Sequence, residues 1–129
     1  MAKRRILLVD DEKGFTSLLK INLEDTGNYE VRVENWAEDA FEAAKQFKPD
    51  LVLLDIIMPR MPGGNVAAQI EADPELANTP IVFFTAAVRK HQVIENEGII
   101  SDHPCIAKPA SLELVIETIE KYARKPPLS

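Results

Sequence analysis

The sequence of 129 residues has little cysteine, few aromatic residues and no long apolar run. Its single cysteine, Cys105, excludes an internal disulfide and is typical of a protein in a reducing compartment. The apolar runs are too short to cross a membrane, and the run after Lys3-Arg4-Arg5 is too short for the core of a signal peptide. We therefore expect a cytoplasmic protein that does not bind a membrane.

Positive charge is also scarce, with 15 lysine and arginine residues against 21 acidic residues and a formal net charge of −6. The overall field of such a chain disfavours nucleic acid, so we expect no direct nucleic-acid partner. The chain length and the 46% of hydrophobic residues suffice for one domain with its own core. We predict this domain over residues 1–124 and a flexible tail over residues 125–129, with no output domain after Ala123.

The most informative pattern is a set of short apolar runs that each end in a polar side chain. The runs cover residues 6–9, 51–54, 81–84 and 105–107, and the polar residues that follow them are Asp10, Asp11, Asp55, Thr85 and Lys108. Uninterrupted apolar runs are typical of strands that are covered on both faces in a parallel sheet. Ligands of such sheets bind beyond the carboxyl ends of the strands. One edge would therefore gather three carboxylates, a hydroxyl and an ammonium group.

Segments with helical spacing separate these runs, and an alternating segment at 29–34 predicts an edge strand. We predict five helices. The first ends near Gly27, the second runs from an Asn35 cap through Lys48, and the third covers about Asn65–Ala72. The fourth covers 89–97, and the fifth begins at a Ser111 cap. Five alternating strand and helix units with right-handed crossovers predict a single-domain, doubly wound α/β fold. Its five-stranded parallel sheet would have the (βα)5 arrangement.

The clustered polar groups indicate phosphoryl chemistry. Two adjacent carboxylates and a third from the next strand would repel one another, and a hard cation such as Mg²⁺ offsets that repulsion. A carboxylate beside this ion can attack phosphorus and form an acyl phosphate. The ion, a lysine and a hydroxyl would balance the phosphoryl oxygens. Asp55, Lys108 and Thr85 would supply the nucleophile, the ammonium group and the hydroxyl.

Together these residues resemble the receiver domain of two-component response regulators. The resemblance extends from Ile6 to about Ala123. It is carried by Leu7-Leu8-Val9-Asp10-Asp11-Glu12, by Asp55-Ile56-Ile57-Met58-Pro59 with Gly63 eight residues after the aspartate, by Thr85-Ala86 and by Lys108-Pro109. The resemblance implies a flavodoxin-like fold with strand order 2-1-3-4-5.

The resemblance also implies roles for these residues. Asp55 would accept a phosphoryl group from a sensor histidine kinase or a phosphotransfer protein. Mg²⁺ would be held by side-chain oxygens of Asp10, Asp11 and Asp55 and by the backbone carbonyl of Ile57. Lys108 would contact the phosphoryl group, Thr85 would move towards it on activation, and the bond from Lys108 to Pro109 would be cis. A downstream protein would bind the face formed by the fourth helix, the fifth strand and the fifth helix.

The sequence departs from the family pattern at three apolar positions. Cys105 stands where many receivers have tyrosine or phenylalanine, three residues before the lysine. Ile57 and Ala87 lie where the family tunes loss of the phosphoryl group, and neither can orient water, which predicts slow self-dephosphorylation. The proline- and glycine-rich stretch 60–64 predicts a shaped loop over the site.

The sequence is compatible with three hypotheses about function. The first is a phosphoacceptor switch that catalyses only its own phosphorylation and dephosphorylation, either alone or as part of a larger protein. The second is a receiver-like interaction module that is never phosphorylated. The third is a phosphohydrolase with an aspartate nucleophile, but these enzymes typically have a second aspartate two residues later, which neither Asp10 nor Asp55 has.

Overall fold

Strands and helices alternate along the chain in the computed structural model, which describes residues 3–85, 99–100, 103–108 and 110–123. The strands are β1 Arg4–Val9, β2 Tyr29–Glu34, β3 Leu51–Leu54, β4 Ile81–Thr85, β5 Ile99–Ile100 and β6 His103–Ala107. The helices are α1 Lys13–Asp25, α2 Ala37–Phe47, α3 Gly63–Ala72 and α4 Leu112–Tyr122. The helix predicted at 89–97 and the tail predicted at 125–129 lie outside the described residues.

Five parallel strands form the sheet in the order β2-β1-β3-β4-β6. Since β6 contains the fifth predicted strand, the predicted order 2-1-3-4-5 and the doubly wound α/β class are confirmed. The sheet has one addition, because the two-residue strand β5 pairs antiparallel with β6 at its edge. A strand of two residues is too short to show any periodicity, so the sequence pattern did not predict it.

The core consists of two apolar layers, one on each face of the sheet. Alternate residues of β1 and β3 point to opposite faces, as Leu7 and Leu8 do. One layer includes α2 and α3, and the other includes α1 and α4. Each leucine or isoleucine buried in these strands contributes about 1.5–3 kcal/mol. This burial on both faces explains why the strand sequences show no polar alternation.

Two predicted helix caps have different outcomes. Ser111 caps α4 as predicted, since its hydroxyl accepts a hydrogen bond from the Leu114 N–H over 3.1 Å. The predicted Asn35 cap is wrong, because α2 begins at Ala37 and its cap position is Trp36, which makes no capping hydrogen bond. The Asn35 amide instead binds groups near the end of β1. No helix in the described part of the chain is long and apolar enough to cross a membrane.

Candidate functional site

Two aspartates lie side by side where the neighbouring strands β1 and β3 end. Val9 and Leu54 are in register, and Asp10 and Asp55 are the next residues of each strand. The Asp55 N–H donates to the Val9 carbonyl over 2.9 Å, which continues the ladder by one bond. Both side chains are held at the carboxyl edge of the sheet, where Asp10 is 1% exposed and Asp55 is 6% exposed.

Asp11 completes a cluster of three carboxylates. Asp10, Asp11 and Asp55 each offer a carboxylate oxygen, and these oxygens lie within 4.8 Å of one another. At this distance, and at an effective dielectric constant of about 20, two like charges repel by roughly 3 kcal/mol. All three ligands are hard oxygen donors, which is the donor set that Mg²⁺ prefers. The residues therefore fit a divalent cation, as the sequence predicts.

Lys108, which follows β6, supplies a positive charge to this cluster. Its Nζ lies 2.5 Å from Asp10 Oδ2, 3.3 Å from Glu12 Oε1 and 3.9 Å from Asp55 Oδ2. Burial alone would lower the pKa of Lys108, but the hydrogen bond to Asp10 and the charges of Asp10 and Asp55 outweigh it and raise the pKa. The side chain therefore stays an ammonium group at neutral pH.

Two aromatic residues that the sequence pattern did not identify as site residues surround Lys108. The pattern placed Phe15 on a helix face and Phe84 in a strand. Its Nζ lies 4.3 Å from the centroid of the Phe15 ring and 5.8 Å from that of Phe84. The two rings are 5.2 Å apart. Rings at these distances stabilise a cation and limit the directions that the side chain can take. Glu12, which was also missed as a site residue, pairs with the same ammonium group.

Asn35 fixes the backbone of Asp10. Its Nδ2 donates to the Asp10 carbonyl over 2.8 Å and to the Thr16 hydroxyl over 3.0 Å. The Asp10 carboxylate is held in turn, because its Oδ1 accepts from the Glu12 N–H over 2.9 Å. The only sequence signal for this role is an amide directly after the edge strand, and the same signal also fits a helix cap.

The loop after Asp55 returns tightly to the start of α3. The Gly63 N–H donates to the Ile56 carbonyl over 2.7 Å. A Cβ at position 63 would lie 2.0 Å from the Asp55 backbone oxygen, so only glycine fits there. The glycine eight residues after the aspartate is thus explained by contact with the backbone of Asp55 itself.

The structure brings together four of the predicted site residues, Asp10, Asp11, Asp55 and Lys108. Thr85 is the last residue of β4 and is in register with Ala107, but its side chain is not among the parts that the structure describes. Ile57 follows in the loop and is 64% exposed. The predictions for Ala87 and for the cis bond to Pro109 lie outside the described residues.

Cys105 is buried in β6 and in register with Phe83 of β4. Burial raises the pKa of its thiol to about 11. This position, where many receivers have an aromatic ring, is filled here by a small and unreactive side chain.

A doubly wound α/β domain with an acidic cluster and a largely buried lysine at its carboxyl edge has the flavodoxin-like fold. The chain belongs to the response regulator receiver domain family, whose model matches residues 6–120. The family predicted from the sequence is thereby confirmed. Receiver domains are phosphoacceptor switches of two-component signalling.

Similar proteins include both long and short response regulators. The chain is 37% identical over 124 residues to the transcriptional regulatory protein YvcP of Bacillus subtilis, covering 94% of this chain and 49% of YvcP. It is 31% identical over 122 residues to the polar-differentiation response regulator DivK of Brucella anthropi, covering 92% of this chain and 95% of DivK. The chain thus spans about half of one relative and nearly all of the other.

Solved structures show the same fold. The chemotaxis protein CheY4 of Vibrio cholerae matches with a TM-score of 0.79 and 23% identity, covering 93% of this chain and 98% of CheY4. The signal receiver domain of a DNA-binding response regulator from Colwellia psychrerythraea matches with a TM-score of 0.76 and 27% identity, covering 92% and 97%.

Proposed function

We propose that this chain accepts a phosphoryl group on Asp55 from a sensor histidine kinase or a phosphotransfer protein. The supporting observation is the pairing of a largely buried ammonium group with a cluster of three carboxylates at the carboxyl edge of the sheet. Lys108 Nζ lies 3.9 Å from Asp55 Oδ2, close enough to contact a phosphoryl group attached there. The family assignment supports the proposed direction of transfer, from a phosphohistidine to this aspartate.

The Asp55 carboxylate is the nucleophile of the proposed reaction. One of its oxygens forms a bond to phosphorus while the bond from phosphorus to the donor imidazole nitrogen breaks, and the imidazole leaves with that electron pair. Asp10, Asp11, Asp55 and the Ile57 carbonyl would hold Mg²⁺, which when bound neutralises charge on the phosphoryl oxygens. Lys108 donates to a phosphoryl oxygen, and the Thr85 hydroxyl is proposed to donate to another.

The output is proposed to be a protein contact rather than turnover of a separate substrate. By the family resemblance the contact surface combines β6 and α4 with the predicted helix at 89–97, which lies outside the described residues. Phosphorylation would change the populations of two conformations of this face. A cytoplasmic location and the lack of a nucleic-acid partner stay predictions from composition.

Intact mass measurement tests the acceptor directly. We would incubate the protein with acetyl phosphate, with and without Mg²⁺, and compare the wild type with Asp55→Asn and with Asp25→Asn, which changes an exposed aspartate in α1. We expect a Mg²⁺-dependent gain of one phosphoryl group in the wild type and in Asp25→Asn, and none in Asp55→Asn. No gain in the wild type would favour the unphosphorylated interaction module. A gain that persists in Asp55→Asn would place the acceptor elsewhere.

We further propose that the phosphoryl group is lost slowly. Ile57 is 64% exposed two residues after the acceptor, and its hydrocarbon side chain cannot orient an attacking water by hydrogen bonding. Ile57→Asn should therefore shorten the lifetime of the phosphorylated protein several-fold, as followed by intact mass in Mg²⁺. Ile21→Asn is the matched control, because Ile21 is an equally exposed isoleucine, at 63%, in α1. Rapid loss of the phosphoryl group from the wild type would contradict this proposal.

A further inference from the structure

Arg60 has a strained backbone in the loop that follows the phosphoacceptor. Its φ is 71°, and the other described non-glycine residue with a positive φ is Lys48, at the end of α2. The Met61 N–H donates to the Pro59 carbonyl over 2.8 Å, so Arg60 is the central residue of a γ-turn with positive φ. This form of γ-turn is rare and strained. Strain of this kind persists where surrounding contacts hold it in place.

The Arg60 side chain makes such contacts with the start of α2. Its Nη1 lies 3.0 Å from Glu38 Oε2, and its Cζ lies 5.3 Å from the centroid of the Trp36 ring. The hydrogen bond from Arg60 is the largest cause that lowers the pKa of Glu38. A planar guanidinium can pair with a carboxylate and stack on an indole at the same time, which an ammonium group does less well.

The loop that Arg60 belongs to contains the proposed backbone ligand of the cation. Its two ends are tied together by the hydrogen bond from Gly63 to the Ile56 carbonyl, and its middle is tied to α2 by Arg60. Ile57 lies between these two points. A backbone carbonyl has no rotamers, so its direction depends entirely on the path of the loop. A change at Arg60 therefore reaches the Ile57 carbonyl through only three peptide bonds.

We propose that Arg60 is a positioning residue for the phosphoryl-transfer site. By linking the loop to Trp36 and Glu38, its side chain holds the strained turn and with it the direction of the Ile57 carbonyl, whose role rests on the proposed function. The contacts of the side chain stabilise the turn, whereas the positive φ of a non-glycine residue destabilises it. Glycine at position 60, which tolerates positive φ, should therefore preserve the turn better than alanine, which lacks the link and keeps the strain.

Three variants separate the link from the strain. Arg60→Ala removes the link alone, and Arg60→Gly removes both the link and the strain. Lys45→Gln is the matched control. Lys45 contacts the Phe41 ring at 5.5 Å and pairs with Asp73 at 3.3 Å, but it lies at the other end of α2.

Thermal unfolding confirms that each variant is folded. Mg²⁺ affinity is measured by calorimetry, phosphorylation by intact mass, and exposure of Trp36, the single tryptophan, by acrylamide quenching.

We expect Arg60→Ala to lose about threefold to tenfold in Mg²⁺ affinity and in phosphorylation rate, the size expected from one exposed ion pair and one exposed cation–π contact. Arg60→Gly should lose less, and Lys45→Gln should match the wild type. Without any cation, both Arg60 variants should show stronger quenching of Trp36 than the wild type, since the guanidinium no longer covers the ring.

Each outcome decides one step of the proposal. Equal quenching in the wild type and both Arg60 variants would overturn the link to Trp36. Equal Mg²⁺ affinity in the wild type and Arg60→Ala would overturn the positioning role, and an equal loss in Arg60→Ala and Arg60→Gly would overturn the role of strain. If the wild type gains no phosphoryl group, the proposed function fails, while a lower Mg²⁺ affinity of Arg60→Ala still supports the positioning role.

Discussion

Gly63→Ala is the smallest change that should disable the site without altering any of its charged groups. The new Cβ would lie 2.0 Å from the Asp55 backbone oxygen and 2.9 Å from the Ile56 Cα. Ordinary contacts begin near 3.4 Å, so the methyl group and the Asp55 carbonyl must separate by about 1.4 Å. The clashing atoms belong to the backbone, so no side-chain rotation relieves the contact. Such a separation also lengthens the 2.7 Å hydrogen bond from Gly63 to Ile56.

Two opposing effects set the change in stability. Overpacking of this kind typically costs about 1–3 kcal/mol, whereas alanine in a helix is favoured over glycine by up to about 1 kcal/mol. We expect a net loss of about 1–2 kcal/mol, which lowers the Tm of a domain of this size by roughly 4–8 °C. The effect on phosphorylation should be larger, because displacing a reacting group by about 1 Å costs on the order of 100-fold in rate.

Gly64→Ala is the matched control for this experiment. Gly64 lies in the same turn of α3, and a Cβ there would meet nothing within 4 Å. We expect Gly64→Ala to keep the wild-type phosphorylation rate with acetyl phosphate and to show an equal or slightly higher Tm in thermal unfolding. If Gly63→Ala also kept the wild-type rate and Tm, the close contact with Asp55 would not constrain the site.

Burial raises the pKa of the Cys105 thiol from 9.0 to about 11, so near pH 8 its thiolate is about 100-fold scarcer than in the unfolded chain. We expect slow reaction with a thiol reagent that accelerates as the pH rises, and equal rates in native and urea-unfolded protein would contradict this. Asn35→Ala should lower the free energy of unfolding in urea by about 1–3 kcal/mol, because the buried Asp10 carbonyl loses its donor; an unchanged urea midpoint would show that this bond is not needed. Tyr29→Phe removes a 2.5 Å hydrogen bond to Glu120 and should cost about 1 kcal/mol by the same measurement. Phosphorylation should be unaffected, because Tyr29 is the first residue of β2 and lies at the amino edge of the sheet, away from the carboxyl edge that holds the site. A slower rate of phosphorylation would count against this reasoning.

The parallel sheet could be predicted because its strands are buried on both faces. Leu7 and Leu8 occupy opposite core layers, and so do Leu53 and Leu54, which leaves the uninterrupted apolar runs that are typical of parallel sheets. The site followed from the same pattern, since parallel strands that end at one edge place Asp10 and Asp55 together without any knowledge of tertiary contacts.

Local patterns failed where a side chain has a distant partner. Asn35 before a helix fits a capping residue, but its amide binds the Asp10 carbonyl, which lies 25 residues earlier. The contact of Lys108 with Phe15 joins the residue after the last strand to the first helix, and neither residue carries a sequence signal for the other. Such contacts depend on how α1 packs on the face of the sheet, and the periodicity of hydrophobic residues does not specify this packing.

The sequence predicted a shaped loop after Asp55 but not which of its residues adopts a positive φ. Its proline and glycine content indicates a shaped turn, and the structure has one, centred on Arg60. Composition alone would assign the positive φ to Gly63 or Gly64, since glycine adopts it without strain. The structure instead places it at an arginine whose side chain binds α2, so tertiary contacts override the local preference.

The charges at the carboxyl edge explain why phosphorylation should require a cation and how it can act as a switch. Three carboxylates and one ammonium group leave a net charge of −2 in a site where Asp10 and Asp55 are almost fully buried. Conversion of the Asp55 carboxylate to an acyl phosphate of about −2 would make the net charge about −3, and a divalent cation brings it back to about −1. Lys108, which now pairs with Asp10, then has a second and more strongly charged partner on Asp55. Because one ammonium group cannot stay equally close to both, we expect the phosphoryl group to draw Lys108 away from Asp10 and towards Asp55.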